Sequence, residues 1–242
     1  MTGDANEQHQ PDPRPDPRPD PRPDPRPDPW DAAPGGRPWY VSAILAVAIV
    51  TLMLSGAWLF TRAKSPYPFF GTAYDNRPPA TAFSGTDDLG RPFTFQPGGG
   101  QVTTIFFGFT NCANICPMTL SYLSKVRSQL TPEQQAQWKT LFVSVDPPRD
   151  TVKRMHDYVT YFGDGTGVII PEPQLGEVAR AYGVGYQKVD VKGLAEYQIN
   201  HSTGTYLIDA SGHLRAIWDY TQMPQVERVK ADLLYVMENP VK

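Results

Sequence analysis

The chain has 242 residues, with 22 Lys and Arg against 25 Asp and Glu for a formal charge of −3. From Ser65 onward the count is 15 against 17. A balance so near zero supplies no electrostatic footprint for nucleic acid, and that class of partner is excluded.

The first 38 residues are nearly free of large apolar side chains, and residues 11–30 read as four copies of Pro-Asp-Pro-Arg followed by Pro-Asp-Pro-Trp. Alternate prolines fix φ and remove backbone donors, so residues 1–38 are expected to be a disordered, extended tail. Trp39 to Phe60 is an uncharged run of 22 residues, enough to cross a hydrocarbon core of ~30 Å at helical rise. Trp39, Tyr40 and Trp58 suit its two interfaces. The run exceeds the roughly 7–15 residues of a signal-peptide core, so it is read as a retained single-pass anchor, although Ser55-Gly56-Ala57 resembles a cleavage site. No Cys stands at its end, which excludes a lipoprotein anchor. Basic residues flank both ends, and their balance does not orient the helix.

After a linker over 61–70, residues 71–242 have the length of one domain with a full core. Thr81–Ser84 and Pro92–Phe95 flank Asp88-Leu89-Gly90 as a β-hairpin. Val102–Phe109 is a continuous apolar strand of the kind buried on both faces. Leu120, Leu123, Val126 and Leu130 recur at helical spacing after it. Leu141–Val145 is a second buried strand, ended by Asp146-Pro-Pro-Arg-Asp150, and Thr151–Phe162 is an amphipathic helix. Val168–Ile170 is a short strand, and Leu175 to Tyr182 form a helix closed by Gly183. Residues 185–200 read as a loop with one or two short extended pieces. Strands at Thr205–Asp209 and Leu214–Trp218 and a helix through Val226, Val229, Leu233 and Val236 finish the chain. This βαβ then ββα order predicts an α/β, thioredoxin-like domain with the 81–95 hairpin as an N-terminal extension.

The chemistry is concentrated in Phe106-Phe-Gly-Phe-Thr-Asn-Cys-Ala-Asn-Ile-Cys-Pro117, which holds both cysteines of the chain. If the segment from Asn111 onward is helical, Cys112 and Cys116 share a face, and the unpaired amides of a helix start lower thiol pKa values. A structural disulfide, a redox pair and two ligands of a metal site all fit this spacing. A bridge closing so small a loop removes little unfolded-chain entropy, which favours the redox and metal readings.

Of the four histidines, His9 falls in the tail, His156 on the flank of a helix and His213 beside a Ser-Gly turn. His201 ends the irregular loop just before the Thr205–Asp209 strand, whose leading loop faces the helix start in such a sheet. A third ligand and a packed, non-ligating histidine both fit that placement. Two thiolates and an imidazole would make a soft site suited to Cu(I), and to Cu(II) with an added ligand.

The first motif, Ser144-Val-Asp-Pro-Pro-Arg-Asp-Thr151 and Asn200-His-Ser-Thr-Gly-Thr-Tyr-Leu-Ile-Asp209 resemble, in order and spacing, those of the Sco (SenC/PrrC) family of membrane-anchored copper-binding assembly factors of cytochrome c oxidase. The resemblance covers roughly residues 70–238. It implies a periplasmic domain with a cytoplasmic tail, and one copper ion held by Cys112, Cys116 and His201. It further implies a metallochaperone rather than an enzyme, with the oxidase copper-site subunit and other periplasmic copper chaperones as partners. Asn111 stands where the family often has His, and Asn200 where it commonly has Asp. Asp146 is read either as an acid behind the site or as a cap of the following turn. The rival functions are a thiol–disulfide oxidoreductase using Cys112 and Cys116, and a copper or redox sensor. Against the reductase, His201-Ser-Thr-Gly-Thr205 carries no proline where related reductases place one in the cis form.

Overall fold

The computed structural model describes residues 38–64, 67–163, 165–190 and 197–241. The proline tract and His9 lie outside them. The chain divides into two units, helix α1 (Trp39–Lys64) and a folded domain that begins at Tyr67. Over Trp39–Phe60 the helix is long and apolar enough to cross a membrane, with a mean hydropathy of 2.3.

The domain is built from β1 (Thr72–Ala73), β2 (Phe83–Asp87), β3 (Pro92–Phe95), β4 (Val102–Gly108), α2 (Ile115–Arg127), α3 (Pro132–Ala136) and β5 (Trp138–Ser144). There follow α4 (Val152–Phe162), β6 (Thr166–Ile169), α5 (Gln174–Ala181), β7 (Tyr186–Val189), β8 (Gln198–His201), β9 (Thr205–Ile208), β10 (Leu214–Trp218) and α6 (Val226–Glu238). Among the described residues, eight strands form one sheet in the order β1-β10-β9-β4-β5-β6-β2-β3, while β7 and β8 pair with each other in a second sheet. β4, β5 and β6 run parallel, and β9 returns antiparallel against β4 with Phe106 opposite Thr205. This is the predicted thioredoxin-like architecture, with the β2–β3 hairpin added to the sheet edge through β6.

The central strand explains the core. Successive side chains of β4 leave opposite faces of the sheet. Phe106 stacks on Phe142, which stacks in turn on Tyr158 of α4. Phe107 meets Tyr182 and Tyr206 on the other side. All seven β4 residues are buried, and each large apolar side chain contributes about 1.5–3 kcal/mol of burial. β4 is therefore rigid at the point where it delivers the cysteine turn.

Several details differ from the sequence reading. Helix α2 starts at Ile115 rather than near Asn111, so Cys112 lies in the turn before it. α3 went unread, although Thr131 and Gln134 form a reciprocal capping box at its start. His201 closes a strand rather than an irregular loop. The folded unit begins before residue 71, because Tyr67 stacks on Tyr235 and the amides of Phe70 and Gly71 donate to Asp232. Asp232, buried on α6, also accepts Trp218 Nε1 at 2.9 Å.

Candidate metal centre

Beyond β4 the chain turns at 109–114, and Asp150 fixes that turn. Its carboxyl accepts Thr110 N at 3.1 Å, Thr110 Oγ1 at 2.6 Å and, from the end of β5, Ser144 Oγ at 2.6 Å. Burial raises the Asp150 pKa against the lowering effect of these bonds. Val145 N donates to Gly108 O at 2.8 Å, so the ends of β4 and β5 are joined twice. Gly108 is required for space: a Cβ there would lie 2.6 Å from Phe142 and 2.9 Å from Cys116 Sγ.

On this frame Cys116 is fully buried in the first turn of α2, and Cys112 is partly exposed. Cys116 N points at Cys112 Sγ at 3.5 Å, and Cys116 Sγ lies 3.8 Å from His201 Nε2. The two sulfurs and one ring nitrogen all fall within 4.8 Å of one another. His201 Nδ1 donates to Ser202 O at 2.8 Å, because a carbonyl can only accept, and this leaves Nε2 as the face toward the sulfurs. Phe109 and Phe106 pack on the imidazole at centroid distances of 5.6 and 6.2 Å.

The two thiols differ electrostatically. A hydrogen bond from Cys116, with others from His201 and the backbone amides of Cys116 and Asn114, holds Cys112 well below the ordinary thiol range against the opposing effect of burial. The same bond to Cys112, together with burial, pushes Cys116 up. The pair thus favours one thiolate on the accessible sulfur and one proton on the buried one.

The remaining candidates sit elsewhere. His156 Nδ1 pairs with Asp88 at 2.9 Å, and His213 lies beside Ser211 and Asp209. Asp146 is buried but bonds to neither thiol nor imidazole. Its carboxylate accepts Tyr197 Oη at 2.6 Å and Arg149 Nε, and the expected cap on the next turn is not formed by that side chain. The bond that orients the imidazole runs from its Nδ1 to Ser202 O. Arg149, Tyr197 and Asp150 went unread as parts of the site. The Asp-Pro-Pro-Arg-Asp run was visible, but not what its side chains reach.

A thioredoxin-like sheet that sets two thiols opposite an imidazole defines a domain equipped for soft-metal or thiol chemistry. The SCO1/SenC family model matches residues 72–238, and the chain belongs to that family. It is 34% identical to protein SCO2 of Saccharomyces cerevisiae over 132 residues, which are 54% of this chain and 44% of the yeast protein. The chain thus matches less than half of that protein's length. The apo solution structure of Sco1 from Thermus thermophilus superposes with a TM-score of 0.63 at 31% identity, covering 70% of this chain and 97% of that one. ScoI of Bradyrhizobium japonicum, solved with copper bound, gives 0.58 at 30% identity over 65% and 99% of the two chains.

Proposed function

We propose that Cys112, Cys116 and His201 together hold one copper ion, and that the domain hands it to the binuclear copper centre of a cytochrome c oxidase subunit during assembly. The observation that carries this is the convergence of two sulfurs and an imidazole nitrogen within 4.8 Å in a member of the SCO1/SenC family. The donor set fits the ion. Bonds of about 2.0 Å to nitrogen and 2.3 Å to sulfur separate the two ligand atoms by roughly 3.5–3.8 Å, and Cys116 Sγ and His201 Nε2 stand 3.8 Å apart. Soft sulfur with imidazole suits Cu(I) and also zinc, and the copper-bound structure of ScoI from Bradyrhizobium japonicum favours copper. Copper here is cargo rather than a resident cofactor. Partly exposed Cys112 offers an incoming Cys, His or Met ligand a side from which to exchange, while fully buried Cys116 holds the ion from the core side. The apolar helix α1 holds the domain at a membrane in this reading, with the domain periplasmic and the tail cytoplasmic.

The test is copper titration of the reduced full chain in detergent. Native protein is expected to bind one equivalent, and Cys112→Ser, Cys116→Ser and His201→Ala each to weaken binding sharply. Stoichiometric, undiminished binding by His201→Ala would sink the three-ligand site. Oxidised protein is expected to bind none, because a disulfide has no thiolate to offer.

The lowered pKa of the accessible Cys112, with Cys116 directly behind it, also suits thiol–disulfide exchange. In that second reading the Cys112 thiolate attacks a client disulfide, Cys116 resolves the mixed disulfide, and the domain is oxidised as the client is reduced. Turnover on an oxidised client, without copper and surviving His201→Ala, would favour it over delivery.

A further inference from the structure

His201 reaches the thiols from a two-stranded sheet that is separate from the main one. Its pairing is short: Tyr186 opposite His201 through Val189 opposite Gln198, with Gly185 and Ser202 bonded at the base. An isolated two-stranded hairpin is marginally stable in water, so ties to the rest of the domain must set its position. Two such ties are ordinary, the burial of Ile199 and the bond from Tyr186 Oη to Glu172 Oε1 at 2.5 Å.

The third tie is concentrated on one residue. Tyr197 immediately precedes β8, and its Oη donates to Asp146 Oδ1 at 2.6 Å. Arg149 Nη1 donates to Tyr197 O at 2.9 Å, and the guanidinium lies 3.7 Å over the Tyr197 ring. Arg149 Nε also donates to Asp146 Oδ2, which closes a triangle of three side chains. Asp146 is fully buried at the end of β5, the strand paired with β4. The strand that carries the imidazole is thereby fastened to the frame that carries the cysteine turn. From Tyr197 to His201 is four residues, roughly 13 Å of extended chain, so the fastening acts on the ligand through the strand and not by touching it.

We propose that Tyr197, gripped by Arg149 and Asp146, is the positioning residue that sets His201 Nε2 against the two sulfurs, and that its loss lowers copper affinity through His201 alone. This rests on the copper-site reading above. It is distinct from a purely structural role, in which the same contacts would add to fold stability without reaching the metal. It also sets a ceiling: a residue acting only through the imidazole cannot cost more affinity than removing the imidazole.

The experiment is a double-mutant cycle on the reduced full chain in detergent, with Cu(I) affinity read by competition against a chromophoric Cu(I) chelator. Tyr197→Phe removes one hydroxyl and keeps the ring under Arg149, so the fold should survive, and circular dichroism melting checks that it does. Arg149→Gln is the second variant. Each is expected to weaken binding about tenfold in the native background, the lower end for groups that orient a metal ligand. Neither should change affinity further in the His201→Ala background. X-ray absorption of the loaded Tyr197→Phe protein should show a weaker imidazole signature than native. Native affinity in both variants, or an equal loss in both backgrounds, would overturn the proposal while leaving the copper site standing. Unchanged affinity in His201→Ala alone would overturn the site reading and the proposal with it.

Discussion

The two limbs of the candidate site are built in opposite ways. Cys112 and Cys116 follow a strand hydrogen-bonded on both sides and buried along its whole length, and their turn is fastened by Asp150. His201 ends a four-residue strand with a single partner, outside the main sheet. The sulfurs therefore inherit the stability of the core, whereas the imidazole inherits that of a hairpin and its anchor. In the copper-delivery reading, a site that holds an ion and later releases it gains from such inequality, since regions that open locally come from the low-stability end of a structure.

The contrast breaks most readily on the cysteine limb. Phe106 is fully buried, stacks on Phe142 and backs His201. Phe106→Ala is expected to cost about 3–5 kcal/mol of global stability in urea melts, and a loss under about 1 kcal/mol would mean that β4 is not the frame. Gly108→Ala drives a methyl group against Phe142 and Cys116 Sγ and should cost about 1–3 kcal/mol. Its copper affinity should drop as well, because the sulfur itself must move.

Alkylation of the reduced, copper-free protein separates the two thiols. The rate follows the thiolate fraction, and an ordinary thiol with a pKa near 8.5 loses roughly 80-fold between pH 8 and 6. The pKa of Cys112 is lowered, so it stays ionised as pH falls through that window and its rate should hold nearly flat. Cys116, buried and shifted upward, should remain unlabelled throughout. A steep fall for Cys112 across this range would remove the electrostatic half of the comparison.

The hairpin limb should give the smaller global effects. Ile199→Ala, although at a buried position, is expected to lower the urea midpoint by less than either β4 variant, with faster amide exchange confined to β7 and β8. Exchange spreading into β4 would show that the limbs open as one unit. At the bottom of the scale, Lys153→Ala removes an exposed pair with Asp157 and should change stability by no more than a few tenths of a kcal/mol.

The same division governs what the sequence disclosed. β4 and β5 were readable because strands buried on both faces are continuously apolar, and α2, α4 and α5 because their buried stripes repeat every three or four residues. The three clustered side chains were nameable from motif resemblance, but their distances were not. Residues 109–114 carry no periodicity, so the sequence left open whether Cys112 stands in α2 or in the turn before it. The β7–β8 pair showed in the sequence only as one or two short extended pieces, since strands with little buried face lack the alternation that marks a strand. Asp146 was noticed, but its partner Tyr197 is 51 positions away, and no local pattern encodes a bond across that distance. The attachment of β2 to β6 was equally invisible for the same reason.

Asp232 has a practical consequence for anyone shortening this protein. Two of its donors are the amides of Phe70 and Gly71, which lie just ahead of the family-matched span of 72–238. A fragment cut to that span would strand a buried carboxyl with Trp218 Nε1 as its remaining donor, and would also remove the Tyr67 ring from Tyr235. Each bond left unmade costs about 1–3 kcal/mol, a large share of the margin by which an ordinary domain stays folded. The folded unit is therefore longer than the family-matched span, and expression boundaries belong upstream of Tyr67.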